Sequence, residues 1–163
     1  MNKVLAQFEY EVYESFNELS AADKQLVTVA RNATANAYAP YSNFNVAAAA
    51  LLTNGQIVEG TNQENASFPV GICAERVVLA AVASQFPGTV IDTMAISYNN
   101  HHGTSSKPIS PCGMCRQALT EFENRQHQPI RVILTGMQGS IYIIKEVKQL
   151  LPLHFSSSDL KEG

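Results

Sequence analysis

The sequence has no tryptophan and little charge, and these absences exclude several classes of protein. Charged residues make up 15% of the 163 residues and hydrophobic residues 45%, which is too apolar for a disordered chain. The 11 Lys and Arg residues form no basic cluster and are outnumbered by 14 acidic residues, so we expect no nucleic-acid partner. No run approaches the roughly 18 apolar residues of a membrane span, and Glu9, Glu11 and Glu14 argue against a signal peptide.

Cysteine is scarce as well, with one residue at each of positions 73, 112 and 115. An odd number of cysteines does not fit the even disulfide framework that is usual in secreted domains. We therefore expect a reducing, cytoplasmic setting, in which all three thiols are available for metal binding. Polar residues, turn formers and a carboxylate are dense around the first cysteine, in residues 62–75.

The N-terminal part of the chain combines a segment of undecided structure with a well-marked helix start. Residues 1–19 are acidic and aromatic, and they fit either a loosely packed strand or an arm lying on the body of the protein. Ser20 and Asp23 form a capping box, which predicts a helix that ends before Pro40. We therefore divide the chain into an N-terminal extension, 1–19, and a single domain, 20–163.

Residues 44–53 alternate with a β period and are apolar on both faces, which indicates a central strand. Asn54-Gly55 predicts a type I′ turn into an antiparallel strand over 56–61. Strand and helix patterns then alternate, which indicates parallel crossovers. We expect an α/β fold, a three-layer α/β/α sandwich with a mixed five-stranded sheet. The other predicted elements are helices over 73–84, 112–123 and 146–151 and strands over 90–98, 130–134 and 140–144.

The three cysteines have the spacing of a metal site. Cys112 and Cys115 lie three residues apart at the start of one predicted helix, and Cys73 lies at the start of another. The positive end of a helix dipole favours the thiolates that a metal requires. Three sulfurs leave one tetrahedral position for water, as in catalytic zinc sites, and the nearby Glu75 is placed to exchange a proton with that water.

Each of these residues also has a structural interpretation. A lone buried cysteine is usually inert packing, and an isolated pair with the spacing of Cys112 and Cys115 is often redox-active or structural. Glu75 and Arg76 are equally compatible with a surface ion pair at a helix start. The polar residues at 62 and 64 would, taken alone, be ordinary turn residues.

Taken together, the motifs Cys73-Ala74-Glu75 and Pro111-Cys112-Gly113-Met114-Cys115 resemble the signature of the zinc-dependent nucleoside and nucleobase deaminases. That signature is His or Cys, any residue and Glu, followed by Pro-Cys-x-x-Cys. Within this superfamily the chain is similar to the small homotetrameric cytidine deaminases from about residue 20 to residue 160. The similarity extends over motifs at 41–44, 62–66, 71–76, 110–117 and 150–155.

The resemblance implies hydrolytic deamination of cytidine and deoxycytidine to uridine and deoxyuridine plus ammonia, in pyrimidine salvage, with one Zn²⁺ per subunit. Cys73, Cys112 and Cys115 would hold the zinc. Glu75 would take a proton from the attacking water, give it to N3 of cytosine and later protonate the departing ammonia. Arg76 would offset the negative charge of three thiolates.

The resemblance also implies a nucleoside pocket at the subunit interfaces of a homotetramer. Asn62 and Glu64 would hydrogen-bond the ribose hydroxyls, Phe44 would pack against the pyrimidine, and the backbone N–H of Ala74 would meet O2 of the base. Two further aromatic residues would reach a neighbouring subunit's pocket. The full set implied for substrate binding is Phe44, Asn62, Glu64, Ala66, Ala74, Phe68 and Phe155.

Three positions depart from the common pattern of that family. Ala47 stands where glycine is usual, Met114 where a small residue is usual and Phe68 where tyrosine is common, and these departures bear on affinity and substrate range. The alternatives are a deaminase of a related amino-heterocycle, such as blasticidin S or a tRNA base, and a noncatalytic zinc-stabilised module. Asn62 and Glu64 favour a free nucleoside, and the net charge of -3 argues against tRNA.

Overall fold

A six-stranded sheet forms the middle of the computed structural model, which describes residues 1–161. In chain order the elements are β1 Glu11–Tyr13, α1 Ala21–Ala33, β2 Phe44–Leu52, β3 Ile57–Thr61, α2 Ala74–Gln85, β4 Ile91–Asn100, α3 Gly113–Gln126, β5 Arg131–Leu134 and β6 Ile141–Ile144. The strands lie side by side in the order β1-β6-β5-β4-β2-β3, and every neighbouring pair is antiparallel except β4 with β5. No helix in these residues is both long and apolar enough to span a membrane.

Helices cover both faces of the sheet, so the predicted mixed α/β/α sandwich is confirmed. Helix α1 packs Leu26 and Ala30 on the face that includes Ala49 of β2. Helices α2 and α3 pack on the opposite face, against Ala48 and Ala50. Because β2 is buried on both faces, all of its residues from Val46 to Leu52 are apolar, as the sequence pattern indicated.

The prediction of five strands was one too few. Strand β1 pairs antiparallel with β6 at the edge of the sheet, with Glu11 opposite Ile143 and Tyr13 opposite Ile141. The strand has three residues, which is too short for a period-2 pattern to distinguish it from an arm. An aromatic contact between Tyr10 and Tyr142, with ring centroids 5.0 Å apart, extends this attachment beyond the strand.

Two local predictions also need correction. Among the turn residues only Gly55 has a positive φ, 84°, so Asn54-Gly55 does not form a type I′ turn. The N–H of Leu52 donates to the carbonyl of Gln56 at 2.9 Å, which gives a three-residue connection with glycine in the left-handed position. The predicted C-terminal helix over 146–151 is a short 3-10 helix, Val147–Leu150.

Asp23 joins the start of α1 to the sheet. Its backbone N–H donates to Oγ of Ser20 at 3.1 Å, which confirms the predicted cap. Its carboxylate accepts two hydrogen bonds from the guanidinium of Arg131, at 2.6 and 3.0 Å. Burial opposes ionisation of Asp23, but the hydrogen bonds from Arg131 and Ser20 outweigh it and lower the pKa.

We expect Asp23→Asn to lower the free energy of unfolding by about 1 kcal/mol at pH 7, because the ion pair is partly exposed. A carboxyl whose pKa is lowered in the folded state stabilises the fold above the pKa of the unfolded state and loses this effect as the pH falls through the folded pKa. The difference between wild type and variant should therefore shrink below about pH 3.8. Urea unfolding at several pH values measures it. Glu18→Gln, at an exposed carboxylate, is the control, and an equal pH dependence in both variants would contradict the assignment.

Candidate metal centre and active site

The N-termini of α2 and α3 bring the three cysteines together. Cys73 is the N-cap of α2, Cys112 is the N-cap of α3, and Cys115 lies in the first turn of α3. The sulfurs of Cys73 and Cys112 are 3.8 Å apart, those of Cys112 and Cys115 are 3.4 Å apart, and all three lie within 4.8 Å of one another. The structure thus brings together the cysteines that the sequence predicted as one group.

This three-sulfur cluster fits zinc in its donor chemistry and spacing. Two sulfurs bound tetrahedrally at about 2.3 Å from one Zn²⁺ would be about 3.8 Å apart, close to the distances present. A hydrogen bond from Cys115 lowers the pKa of Cys73 to about 6, although burial and the Glu75 carboxylate oppose this. Arg76 also lowers the pKa of Cys73, and a lowered thiol pKa favours the thiolate that a metal requires.

Glu75 lies beside the cluster in the first turn of α2. Its side chain is 4% exposed, and burial raises its pKa above the usual value for a glutamate. Its own backbone N–H and the Cys115 thiol favour the ionised carboxylate and oppose this shift of the pKa. A buried carboxyl group with a raised pKa is suited to taking up and returning a proton.

A cavity of about 500 Å³ opens beside Cys73. This volume lies in the range of small-molecule pockets. Cys73 and Met114 line the end next to the three-sulfur cluster, whereas Asn62 and Glu64 line another part of the wall. The remaining lining residues are Tyr41, Ser42, Gln63, Asn65, Phe68, Gly71 and Ile72.

The side-chain amide of Asn62 is largely engaged by the backbone of β2. Its Oδ1 accepts from the N–H of Val46 at 2.8 Å, and its Nδ2 donates to the carbonyl of Phe44 at 3.0 Å. An asparagine amide has two N–H groups, so one remains for a ligand in the cavity. Asn62 therefore holds the first residues of β2 in place and still presents one donor to the pocket.

Glu64 fixes the loop that precedes β2. Its Oε2 accepts from the backbone N–H groups of Tyr41 and Ser42 at 2.9 and 3.3 Å, and its Oε1 accepts from the hydroxyl of Ser42 at 2.5 Å. The hydrogen bond from Ser42 and those from the backbone lower the pKa of Glu64, although slight burial opposes them. Glu64 is therefore an ionised acceptor at neutral pH.

A backbone pairing determines how far Asn62 and Glu64 lie from the three-sulfur cluster. Gln63 and Ile72 exchange two hydrogen bonds, with N–H to carbonyl distances of 2.9 and 3.0 Å. Asn62 and Cys73 directly flank this pair in the chain. This pairing sets the separation of Asn62 from Cys73, and residues 64–71 form a loop to one side.

Comparison with known proteins identifies the family. The model of the cytidine and deoxycytidylate deaminase zinc-binding region matches residues 20–128, which include the metal cluster and Glu75. The chain belongs to this deaminase family. The resemblance inferred from the cysteine motifs is therefore confirmed.

The deaminase relatives match over most of their length. The cytidine deaminase of Halalkalibacterium halodurans is 35% identical over 141 residues, which cover 86% of this chain and 99% of the relative. The crystal structure of cytidine deaminase from Burkholderia pseudomallei has a TM-score of 0.70 and 35% identity, covering 84% of this chain and 100% of that chain. The structure of the Mycobacterium tuberculosis cytidine deaminase has a TM-score of 0.64 and 32% identity, covering 83% and 98%.

Of the remaining predicted site residues of this deaminase, some line the cavity and others do not. The ring of Phe44 stacks on Tyr98, with centroids 4.8 Å apart and planes 15° apart, and it does not line the cavity. Ala66 lies exposed in the side loop, whereas Phe68 lines the cavity rim. Phe155 is exposed and is absent from the cavity lining of a single chain.

Sequence reasoning missed three residues that shape this deaminase site. Tyr41 and Ser42 line the cavity and bind Glu64, and Tyr98 supports Phe44 from the neighbouring strand. The first two belong to a family motif, 41–44, and their place beside Phe44 was the signal that could have found them. Tyr98 carries no such signal, because its contact depends on the pairing of β2 with β4.

Proposed function

We propose that this chain catalyses the zinc-dependent hydrolytic deamination of cytidine and deoxycytidine, giving uridine and deoxyuridine plus ammonia. The observation that carries the proposal is the buried Glu75, two residues after Cys73, beside a three-sulfur cluster with a cavity of about 500 Å³ next to Cys73. The cytidine deaminases among its relatives support the substrate class.

Zinc, when held by Cys73, Cys112 and Cys115, supplies a Lewis acid that can bring the pKa of water to about 7. Glu75 takes the proton from this attacking water and transfers it to N3 of the base, which leaves C4 more electrophilic. Glu75 next takes the proton of the hydroxyl group added at C4 and delivers it to the amine, so that the C4 carbonyl forms as the C4–N4 bond breaks and ammonia leaves. Burial raises the pKa of Glu75, which favours the uptake of a proton in each step.

Residues around Glu75 orient the base and balance charge. Ala74 is the first residue of α2, and within residues 1–161 its backbone N–H has no backbone acceptor. That N–H is therefore available to O2 of the base. Arg76 places a positive charge next to three sulfurs whose combined negative charge exceeds that of Zn²⁺. Phe44, held by Tyr98, would pack on the pyrimidine when the substrate fills the site.

At the sugar end we assign the remaining N–H of Asn62 and the carboxylate of Glu64 to the ribose hydroxyls. We expect Glu64→Gln to raise KM for cytidine by about tenfold with little change in kcat, because it removes a charged hydrogen-bond acceptor far from the reacting atoms. Steady-state kinetics with cytidine measure this. Glu59→Gln is the matched control, since Glu59 is exposed on β3 and outside the cavity. A lower kcat with unchanged KM would contradict the assignment.

We also propose that the protein is a homotetramer whose active sites lie at subunit interfaces. Phe68 is 74% exposed beside Tyr41, with ring centroids 5.7 Å apart, and Phe155 is 57% exposed. Large exposed aromatic residues at the edge of a pocket favour burial by another chain. In this proposal residues 1–19 are an extension of a catalytic domain over 20–163, and the enzyme works in the cytoplasm in pyrimidine salvage. Native mass spectrometry tests the assembly, and a fully active monomer would contradict it.

An absorbance assay tests the proposed reaction directly. Zinc-loaded protein is incubated with cytidine, deoxycytidine, adenosine and blasticidin S, and the first two are expected to be converted with release of ammonia. Turnover of blasticidin S alone would assign the site to a different amino-heterocycle. No turnover of any substrate by protein with one zinc per chain would support a noncatalytic zinc module and overturn the proposal.

A further inference from the structure

Arg116 joins the metal-binding turn to the C-terminal segment of the chain. Its Nε donates to the carbonyl of Pro111 at 2.9 Å, and Pro111 immediately precedes Cys112. Its Nη1 donates to the carbonyl of Leu150, also at 2.9 Å. The guanidinium group is planar and its donors are fixed relative to one another, so the two bonds together define the separation of the two carbonyls.

Gln117 holds the same segment further along. Its Nε2 donates to the carbonyl of Phe155 at 2.8 Å. In the part of the chain that the structure describes, no backbone N–H from 152 to 155 donates to a backbone carbonyl. The local polar contact is between Nδ1 of His154 and the carbonyl of Leu151, at 3.3 Å. The amide of Gln117 is therefore the main polar restraint on the position of Phe155.

Glu123, two turns later in α3, binds the chain just before this segment. The residue is 4% exposed, and its Oε2 accepts from the N–H groups of Ile130 and Val147, at 2.7 and 3.1 Å. Helix α3 thus holds Val147 as well as two residues of the C-terminal segment, Leu150 and Phe155. The same helix carries two of the three sulfurs at its N-terminus.

We propose that Arg116 and Gln117 are positioning residues that couple the C-terminal segment, residues 150–155, to the metal-binding turn. Zinc fixes the two sulfurs of this turn, and the Pro111 carbonyl lies next to the first of them. With zinc bound, the two side chains hold Phe155 in one position, whereas without zinc the turn can shift and the restraint weakens. The inference rests on the proposed function, in which Phe155 completes a neighbouring subunit's pocket.

The absence of tryptophan makes Phe155→Trp a single-tryptophan reporter of this segment. In the full-length zinc-loaded variant we expect limited quenching of fluorescence by acrylamide. Removing zinc with a chelator should raise the quenching constant about twofold, because the segment becomes less restrained. Returning zinc should reverse the change, while far-UV circular dichroism shows the same helix content in both states. A quenching constant that does not respond to zinc would overturn the proposal.

A second substitution separates the coupling from a general effect of metal. In Phe155→Trp protein that also carries Gln117→Ala, quenching should be high with zinc present and should change little on chelation. Gln138→Ala is the matched control, because its Nε2 donates to the carbonyl of Thr104 at 3.3 Å, outside α3 and the C-terminal segment. If the Gln117→Ala protein responds to zinc as strongly as the control, Gln117 does not carry the coupling.

Arg116→Lys tests the connection that Arg116 makes between Pro111 and Leu150, since lysine keeps the charge but loses the fixed pair of donors. Coupling between two sites is reciprocal, so loosening the segment should weaken zinc binding. We expect about a tenfold loss of zinc affinity, measured by competition with a chromophoric chelator. Unchanged zinc affinity in this variant would contradict a role for Arg116.

Neither fluorescence quenching nor zinc affinity depends on turnover. The proposed function and the proposed coupling can therefore be tested independently. Zinc-linked quenching in Phe155→Trp, together with no conversion of cytidine by the zinc-loaded wild-type protein, would overturn the proposed function and leave the coupling intact. An active deaminase in which Phe155→Trp does not respond to zinc would overturn the coupling alone.

Discussion

Replacing Glu75 with glutamine should lower kcat for cytidine by about 10³- to 10⁴-fold, the upper part of the range for loss of a general acid–base group. The amide has nearly the same shape and hydrogen-bonding reach as the carboxyl group, but it cannot take a proton from water and pass it to N3. Glu75 is almost fully buried, and the other carboxylate at the cavity, Glu64, is engaged by Tyr41 and Ser42. Initial rates from the absorbance assay measure the loss.

Two measurements make this result specific to proton transfer. The zinc content and the thermal unfolding midpoint of Glu75→Gln should match those of the wild type, because the substitution removes no sulfur ligand. Glu121→Gln, at an exposed position of α3, should retain full activity. A Glu75→Gln protein that binds zinc and converts cytidine at the wild-type rate would exclude the mechanism proposed for this carboxyl group.

Removal of zinc should have an effect of similar size on activity and a second effect on stability. A chelator should reduce turnover by more than about 1,000-fold, since the Lewis acid that activates water is lost. It should also lower the free energy of unfolding, by about 4 kcal/mol if the loaded protein was kept at zinc about 1,000-fold above its Kd. Differential scanning calorimetry and the absorbance assay on the same samples measure both.

Metal selectivity provides the control for this prediction. Added Zn²⁺ should restore activity and stability, whereas Mg²⁺ should not, because thiolates are poor ligands for a hard cation. Cys115→Ser should behave like the chelated protein in the presence of zinc, since it removes the buried member of the cluster. Full activity in metal-free protein would exclude a catalytic role for the cluster.

The metal centre could be predicted from the sequence because its geometry is largely local. Cys112 and Cys115 lie one turn apart, and the helix that begins there places both sulfurs on one side whatever the rest of the fold does. The third sulfur required only that a second helix begin at Cys73, which the sequence also marked. The layers of the fold followed in the same way from the apolar faces of β2.

The contacts that sequence could not predict depend on which strands become neighbours. Phe44 stacks on Tyr98 because β2 pairs with β4 in a register that sets Val46 opposite Tyr98. Asn62 uses most of its amide on the backbone of β2 because β3, which ends just before it, pairs with β2. The choice between a strand and an arm in residues 1–19 stayed open because the three residues of β1 form a strand by pairing with the edge of β6. Each of these contacts joins residues that are far apart in the chain, so no local sequence pattern predicts it.

The pairing of Gln63 with Ile72 has a consequence for how this enzyme tolerates changes in chain length. Insertions or deletions within 65–70 would lengthen or shorten a loop that is closed by this pair, at small entropic cost. They would leave the distance between Asn62 and Cys73 unchanged. A single residue added between Ile72 and Ala74 would instead shift Cys73 and everything after it. A change in the length of this loop would therefore move Phe68 and its part of the cavity rim, while the separation of Asn62 from Cys73 stays the same.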